Sequence, residues 1–202
     1  PLDLVSSPTP RSSDPLALPT PVRAQSRHPL EYPAIHSPGV GTRGMGVSRN
    51  AIASDVGAQI LRDGGNAVDA AVAVGFALAV TLPRAGNIGG DGFMTVYDAK
   101  TKQVRVLDFR GVAPRAATAA MFVDERGRER DLSSYGYMAP SVPGTVAGLE
   151  LAHRKWGKLP WAEVVEPALR LARDGVKLTA DEAFVFGWGR ERLSNSASGK
   201  AA

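Results

Sequence analysis

The sequence contains no cysteine among its 202 residues. This excludes disulfide bonds, thiolate chemistry and cysteine-based zinc sites, and it leaves the redox compartment open. A long apolar run is also lacking, because residues 67–82 are interrupted by Asp69 and fall short of the roughly 20 residues that a membrane span needs. That run predicts a buried core helix, and we expect no membrane span.

A large excess of one charge sign is lacking as well. Lys and Arg number 24 against 20 Asp and Glu, which gives a formal net charge of +4. In the most charged segment, residues 125–131, arginines alternate with acidic residues. Mixed signs are typical of a solvated loop and not of a nucleic-acid surface. We therefore expect no nucleic-acid partner.

Several familiar catalytic and cofactor motifs are missing. The sequence has no Gly-x-Ser-x-Gly elbow, and neither Gly-Lys pair is followed by the Ser or Thr of a Walker loop. The Gly-x-Gly-x-x-Gly match at residues 39–44 precedes no predicted helix. His28, His36 and His153 form no triad or metal cluster in the sequence, and we expect all three to be exposed. The sequence predicts no metal and no cofactor.

Proline and residue periodicity divide the chain into three parts. Recurrent prolines predict a flexible arm over residues 1–41, and small polar residues predict a disordered end or truncation over 194–202. Between them, residues 42–193 read as one domain. Helices are predicted at 51–61, capped by Asn50, at 67–80, capped by Asn66, and at 145–156, 161–173 and 181–186. Strands are predicted at 45–49, 93–97 and 104–109, the last two as a hairpin.

The order of these elements predicts an α+β fold in which helices cover an antiparallel sheet. Pro167 should kink its helix or mark its effective start. Asp55, Asp63 and Asp69 are expected to cap and terminate helices, since nothing pairs them as a general acid and base. The glycines of residues 86–92 are expected where backbone must approach backbone.

Five segments carry a family resemblance. They include Gly-Asn-Ile-Gly-Gly-Asp-Gly-Phe, Asp-Phe-Arg and Val-Pro-Gly-Thr-Val-Ala-Gly, and they lie at residues 64–74, 86–93, 108–110, 142–148 and 166–175. In this order they resemble the N-terminal part of the large subunit of γ-glutamyltransferases, also called glutathione hydrolases. The resemblance implies the four-layer αββα sandwich of N-terminal-nucleophile hydrolases, incomplete in this fragment. It also implies a periplasmic or extracellular enzyme that cleaves γ-glutamyl amide bonds.

In that family the nucleophile is a threonine at the amino end of a small subunit cut from the same precursor. The resemblance therefore implies no catalytic residue in this chain, an inactive fragment, and the small subunit as partner. Pro1 has no side-chain nucleophile, and internal threonines lack the free amine that serves as base. The open alternatives are a related acylase, such as a cephalosporin acylase, and a non-catalytic interaction module that keeps the fold.

Arg110 is the one substrate-binding residue that the resemblance implies. It would hold the α-carboxylate of a γ-glutamyl substrate such as glutathione, and a guanidinium offers two parallel donors for that purpose. The alternative is that Arg110 pairs with Asp108 or a helix end on the surface. Many family members have an acidic residue after this arginine, whereas Gly111 stands here, which leaves donor specificity open. Asp91 replaces a usual glycine and is expected to satisfy exposed amides, with no catalytic role.

Overall fold

The computed structural model describes residues 41–134 and 136–195. The predicted arm, with Pro1, His28 and His36, lies outside the described residues except for residue 41, as does the predicted end from residue 196. The domain boundaries at 41 and 193 therefore stay predictions. Five helices and two strands occur in the described residues: α1 Ala51–Arg62, α2 Ala67–Thr81, β1 Phe93–Asp98, β2 Gln103–Asp108, α3 Thr145–Trp156, α4 Trp161–Asp174 and α5 Ala180–Leu193. The predicted order of helices and hairpin is confirmed.

The chain divides into two compact units. The described part of the first is residues 41–134 and 136–178, which contain α1 to α4 together with the two strands. The described part of the second is residues 179–195, which hold α5.

Both predicted asparagine caps are present. The Asn50 side chain accepts a hydrogen bond from the Ala53 amide, 3.3 Å away, at the start of α1. The Asn66 side chain accepts from the Val68 and Asp69 amides, and the Asp69 carboxylate accepts from the Asn66 amide in return. This reciprocal capping box fixes the start of α2 through contacts within four residues, which is why the sequence predicts it well.

Helix α2 forms the centre of the first unit and packs against α1, α3 and α4. Its Val72, Ala73 and Ala77 are fully buried, as predicted for a helix that is apolar nearly all round. Small residues let the neighbouring helices come close. A Cβ atom added to Gly75 would lie 3.0 Å from a methyl group of Leu149 on α3.

Strands β1 and β2 form an antiparallel hairpin in which Phe93 pairs with Asp108 and Asp98 with Gln103. One face packs on the helices through Met94, Val96 and the buried Leu107. The opposite face, here called the open sheet face, carries four apolar side chains that are 58–64% exposed: Phe93, Tyr97, Val104 and Val106. The described residues therefore cover only one face of an apolar hairpin.

Two predictions about secondary structure are wrong, and one of the two alternatives for Pro167 is excluded. Residues 45–49 form no strand; instead the Ser48 hydroxyl bonds to the Asn50 carbonyl and to the Ser54 hydroxyl, which shapes the turn into α1. Helix α5 continues past Gly187 to Leu193, beyond the predicted end at 186. Helix α4 begins at Trp161, so Pro167 lies inside the helix and does not mark its start.

Candidate functional site

Three of the five characteristic segments meet at the end of β2. The Gly90 carbonyl accepts the amides of Gly144 and Thr145, at 3.0 and 3.1 Å, which joins the glycine-rich loop 86–92 to the start of α3. The Phe109 amide donates to the Gly92 carbonyl at 3.1 Å, which joins that loop to the Asp-Phe-Arg segment. Backbone contacts thus bring together residues that lie up to 55 positions apart in the sequence, as Gly90 and Thr145 do.

Phe109 explains the glycines of these segments. Its ring lies against Gly148 on α3, and its carbonyl lies against Gly144, so that neither position has room for a Cβ atom. A Cβ atom added to Gly92 would lie 3.1 Å from the same ring. Close packing in the 86–92 loop is confirmed for Gly92, although its neighbour is a side chain and not backbone. The position of Phe109 is thereby fixed, and with it the backbone that leads into the next residue, Arg110.

Arg110 projects from this backbone, with its side chain 66% exposed. Its Nη1 atom lies 3.3 Å from Asp91 Oδ1, and its backbone amide donates to the Asp108 carboxylate at 2.9 Å. The surface partner of the guanidinium is therefore Asp91, while Asp108 contacts only the backbone. Among the described residues, the Nε and Nη2 atoms have no hydrogen-bond partner, so one edge of the guanidinium can receive a carboxylate.

Asp91 lies between Arg110 and the following residue. Its Oδ2 atom accepts the Gly111 amide at 2.8 Å while Oδ1 faces Arg110, and the side chain is only 23% exposed. The prediction that Asp91 satisfies a backbone amide is confirmed for Gly111. The pairing with Arg110 is not evident in the sequence, since 19 positions separate the two residues.

A cavity of about 710 Å³ lies elsewhere, between residues 41–46 and Ala58, Leu61 and Arg62 of α1. Arg110 does not line it. The substrate-binding role of Arg110 thus stays a prediction, made for an exposed guanidinium and not for a pocket enclosed by the described residues.

His153 is not exposed, contrary to the prediction from its charged neighbours. Its side chain is 14% exposed, its Nε2 atom lies 2.8 Å from the Leu159 carbonyl, and its ring packs edge-on against Trp161. The turn between α3 and α4 folds back over the last turn of α3 and covers the ring. His153 therefore stabilises that turn, and none of these contacts involves Arg110.

The three aspartates differ in role. Asp69 is fully buried and accepts the amides of Asn66, Lys158 and Leu159, and Asp63 is the C-cap residue of α1, so both lie at helix ends as predicted. The prediction is wrong for Asp55, which lies inside α1 and is exposed. Residues 41–134 and 136–195 contain no group of three metal-ligating side chains. None of the helices described in these ranges is long and apolar enough to cross a membrane.

Comparison with known sequences shows which proteins this chain is similar to. The family model of γ-glutamyltranspeptidases matches residues 53–202. A glutathione hydrolase proenzyme of Pseudomonas aeruginosa is 54% identical over 133 residues, which cover 65% of this chain and 23% of that protein. The corresponding proenzyme of Escherichia coli is 47% identical over 163 residues, with 79% and 28% covered. The chain spans about a quarter of the length of these curated relatives.

Solved structures give the same result. The γ-glutamyltranspeptidase of Helicobacter pylori aligns with a TM-score of 0.79 and 42% identity, over 82% of this chain and 47% of that one. A cephalosporin acylase from Bacillus halodurans aligns with a TM-score of 0.65 and 28% identity, over 82% and 32%. The matched family model and the sequence identity together show that the chain belongs to the γ-glutamyltranspeptidase family.

Proposed function

We propose that the complete protein containing this chain cleaves γ-glutamyl amide bonds, as in glutathione, and transfers the γ-glutamyl group to water or an amino acid. In this proposal the chain is the N-terminal part of the large subunit. The observation that carries it is the exposed Arg110 guanidinium, fixed where the three family segments meet. Relatives at 47% and 54% identity bear the name glutathione hydrolase proenzyme, which supports the same activity.

Arg110 would bind the α-carboxylate of the donor. A guanidinium stays charged at any relevant pH and presents parallel donors to a carboxylate, which fixes both the position and the orientation of the substrate. Hydrogen bonds to charged groups contribute about 1.5 to 3 kcal/mol each, so loss of a two-bond clamp weakens donor use by about a hundredfold or more.

The bond-breaking group would come from a small subunit. A threonine hydroxyl at its amino end attacks the γ-carbonyl carbon, and the free α-amine of that threonine takes the hydroxyl proton. The C–N bond then breaks, the amine product leaves with the proton, and water or an amino acid attacks the acyl-enzyme. The word proenzyme in the names of the relatives supports a precursor that is cut to release this terminus. This chain alone would then be inactive.

The open sheet face supports such a partner. Four apolar side chains on one hairpin face are more exposed than a finished sheet would leave them, and a second sheet would bury them. We therefore include the four-layer αββα sandwich in the proposal, with the small subunit contributing to the second sheet. Family resemblance alone supports a periplasmic or extracellular location, which fractionation of the source cells would test.

A cephalosporin-type acylase is less favoured, because that neighbour has lower identity and a lower TM-score than the γ-glutamyltranspeptidase of Helicobacter pylori. A non-catalytic interaction module is the remaining alternative. A threonine at a self-cleavage junction in the complete gene product would favour the enzyme, and its absence would favour the module.

The test is the activity of the complete gene product on a γ-glutamyl anilide. We expect Arg110→Ala to raise KM for the donor about a hundredfold, since both carboxylate hydrogen bonds are lost. Arg110→Lys should recover only part of this, because an ammonium group keeps the charge without the paired donors. Arg105→Ala is the matched control, since Arg105 lies on the same strand and bonds to Gln103. Unchanged kinetics in Arg110→Ala would remove this residue from the site.

A further inference from the structure

We propose that Asp91 is a positioning residue for Arg110, and that Gly111 lacks a side chain so that the Asp91 carboxylate can reach both neighbours. The inference rests on the proposed function, because it concerns how the donor-binding arginine is held. It assigns a role to a carboxylate that the sequence places in a glycine-rich packing loop.

The two carboxylate oxygens of Asp91 act on consecutive residues. Oδ1 lies 3.3 Å from Arg110 Nη1, and Oδ2 lies 2.8 Å from the Gly111 amide nitrogen. The hydrogen bond from the Gly111 amide holds the carboxylate beside the backbone that carries Arg110, so the negative charge is fixed relative to the arginine. A side chain that only accepted a backbone amide hydrogen bond would not need to be charged, whereas a negative charge strengthens its contact with a guanidinium.

Gly111 makes this arrangement possible. A Cβ atom added at residue 111 would lie 2.6 Å from Asp91 Oδ2 and would also collide with the Ser141 hydroxyl. The φ angle of Gly111 does not lie in the left-handed region, so backbone conformation does not call for glycine here. The carboxylate of Asp91 thus fills the space that a side chain at 111 would take.

Both ends of the contact are rigidly mounted. Asp91 follows Gly90, whose carbonyl accepts two amides at the start of α3, and precedes Gly92, which bonds to Phe109. Arg110 follows Phe109, whose ring is fixed against Gly148. The contact therefore restricts a long side chain from a fixed point, and it engages Nη1 while Nη2 and Nε remain for a ligand.

The restriction lowers the ordering cost when a donor binds. Immobilising one side chain that has many rotamers weakens binding by about 3- to 10-fold. We expect Asp91→Asn in the complete enzyme to raise KM for a γ-glutamyl anilide by this factor, with kcat changed less than twofold. The asparagine carbonyl can still accept the Gly111 amide, so the melting temperature should remain close to that of the wild type.

A double-mutant cycle separates positioning from a general structural effect. In an Arg110→Ala background, Asp91→Asn should cause no further rise in KM, because the residue through which it acts is gone. An equal rise in both backgrounds would overturn the proposal. Asp98→Asn is the control, since Asp98 also accepts a backbone amide but lies at the far end of the hairpin, about 17 Å along β1.

Three further outcomes are informative. If Asp91→Asn melts early, Gly111→Ala provides a second variant, because its methyl group displaces the carboxylate while the charge is kept; a folded Gly111→Ala with wild-type KM would overturn the proposal. An inactive wild type would overturn the proposed function and this inference together. An active wild type with unchanged KM in Asp91→Asn would overturn the inference alone.

Discussion

Removal of the Asp69 carboxylate should open the turn between α3 and α4. Asp69 is fully buried at the first turn of α2, and its oxygens accept the amides of Asn66, Lys158 and Leu159 at 2.9 to 3.3 Å. Two of these amides belong to a turn about 90 residues further along the chain. One side chain therefore ties the start of the central helix to the connection between two other helices.

The magnitude follows from the amides that lose their acceptor in Asp69→Ala. Each unsatisfied, partly buried donor costs about 1 to 3 kcal/mol, and the low end applies where water can reach. Three such donors give a cost of about 3 kcal/mol or more, which is a large share of the 5 to 15 kcal/mol that stabilises a typical domain. Two of these donors lie in the turn, and at about 1.5 kcal/mol each they raise its local opening constant by about a hundredfold.

Hydrogen exchange followed by mass spectrometry on the complete protein measures this opening directly. We expect the amides of residues 156–159 to exchange about a hundredfold faster in Asp69→Ala. Asp69→Asn should have a much smaller effect, because its carbonyl can occupy the position of Oδ2, which accepts all three amides. Asp55→Ala is the control, since Asp55 is exposed on α1. Exchange in Asp69→Ala within threefold of the control would refute the reasoning.

Two glycine substitutions give further predictions. Gly148→Ala should displace the Phe109 ring, lower the free energy of unfolding by about 1 to 3 kcal/mol and lower kcat/KM of the complete enzyme. The control is Gly46→Ala, whose added methyl group has no described atom within 4 Å, and equal activities of the two variants would argue against Phe109 as the residue that positions Arg110. Gly187→Ala, on an exposed position of α5, should stabilise that helix by about 0.5 to 1 kcal/mol, measured as slower hydrogen exchange across residues 183–191; faster exchange would show that the site needs glycine.

Local chemistry explains which elements the sequence predicts. Asn50 and Asn66 cap their helices through atoms two or three residues away, so a short window of sequence contains the whole interaction. The hairpin is equally local, since its two strands are joined by four residues. The end of α5 is different: Gly187 and Gly189 have poor helix propensity, and the structure overrides it.

The site is predicted only in part, because its contacts are distant in sequence. Arg110 is found through the resemblance of its segment, but its partner Asp91 lies 19 residues earlier in a loop whose glycines suggest packing alone. His153 is misjudged for the same reason: its helical neighbours Arg154 and Lys155 are exposed, while the turn that buries it comes afterwards. A sequence pattern predicts the polarity and secondary structure of a segment, but not which distant residues pack against it.

The position of Arg110 links the proposed partner to the proposed chemistry. Asp108 is the register partner of Phe93 and alternates with Val104 and Val106 along β2, so it ends the row of residues on the open sheet face. The Arg110 amide bonds to the Asp108 side chain, which places Arg110 at the border of that face. A subunit that covers the open sheet face would therefore reach Arg110 at its edge. The exposed apolar face and the group proposed to bind the donor are thus adjacent, so a nucleophile supplied by the proposed covering subunit could approach a donor held by Arg110.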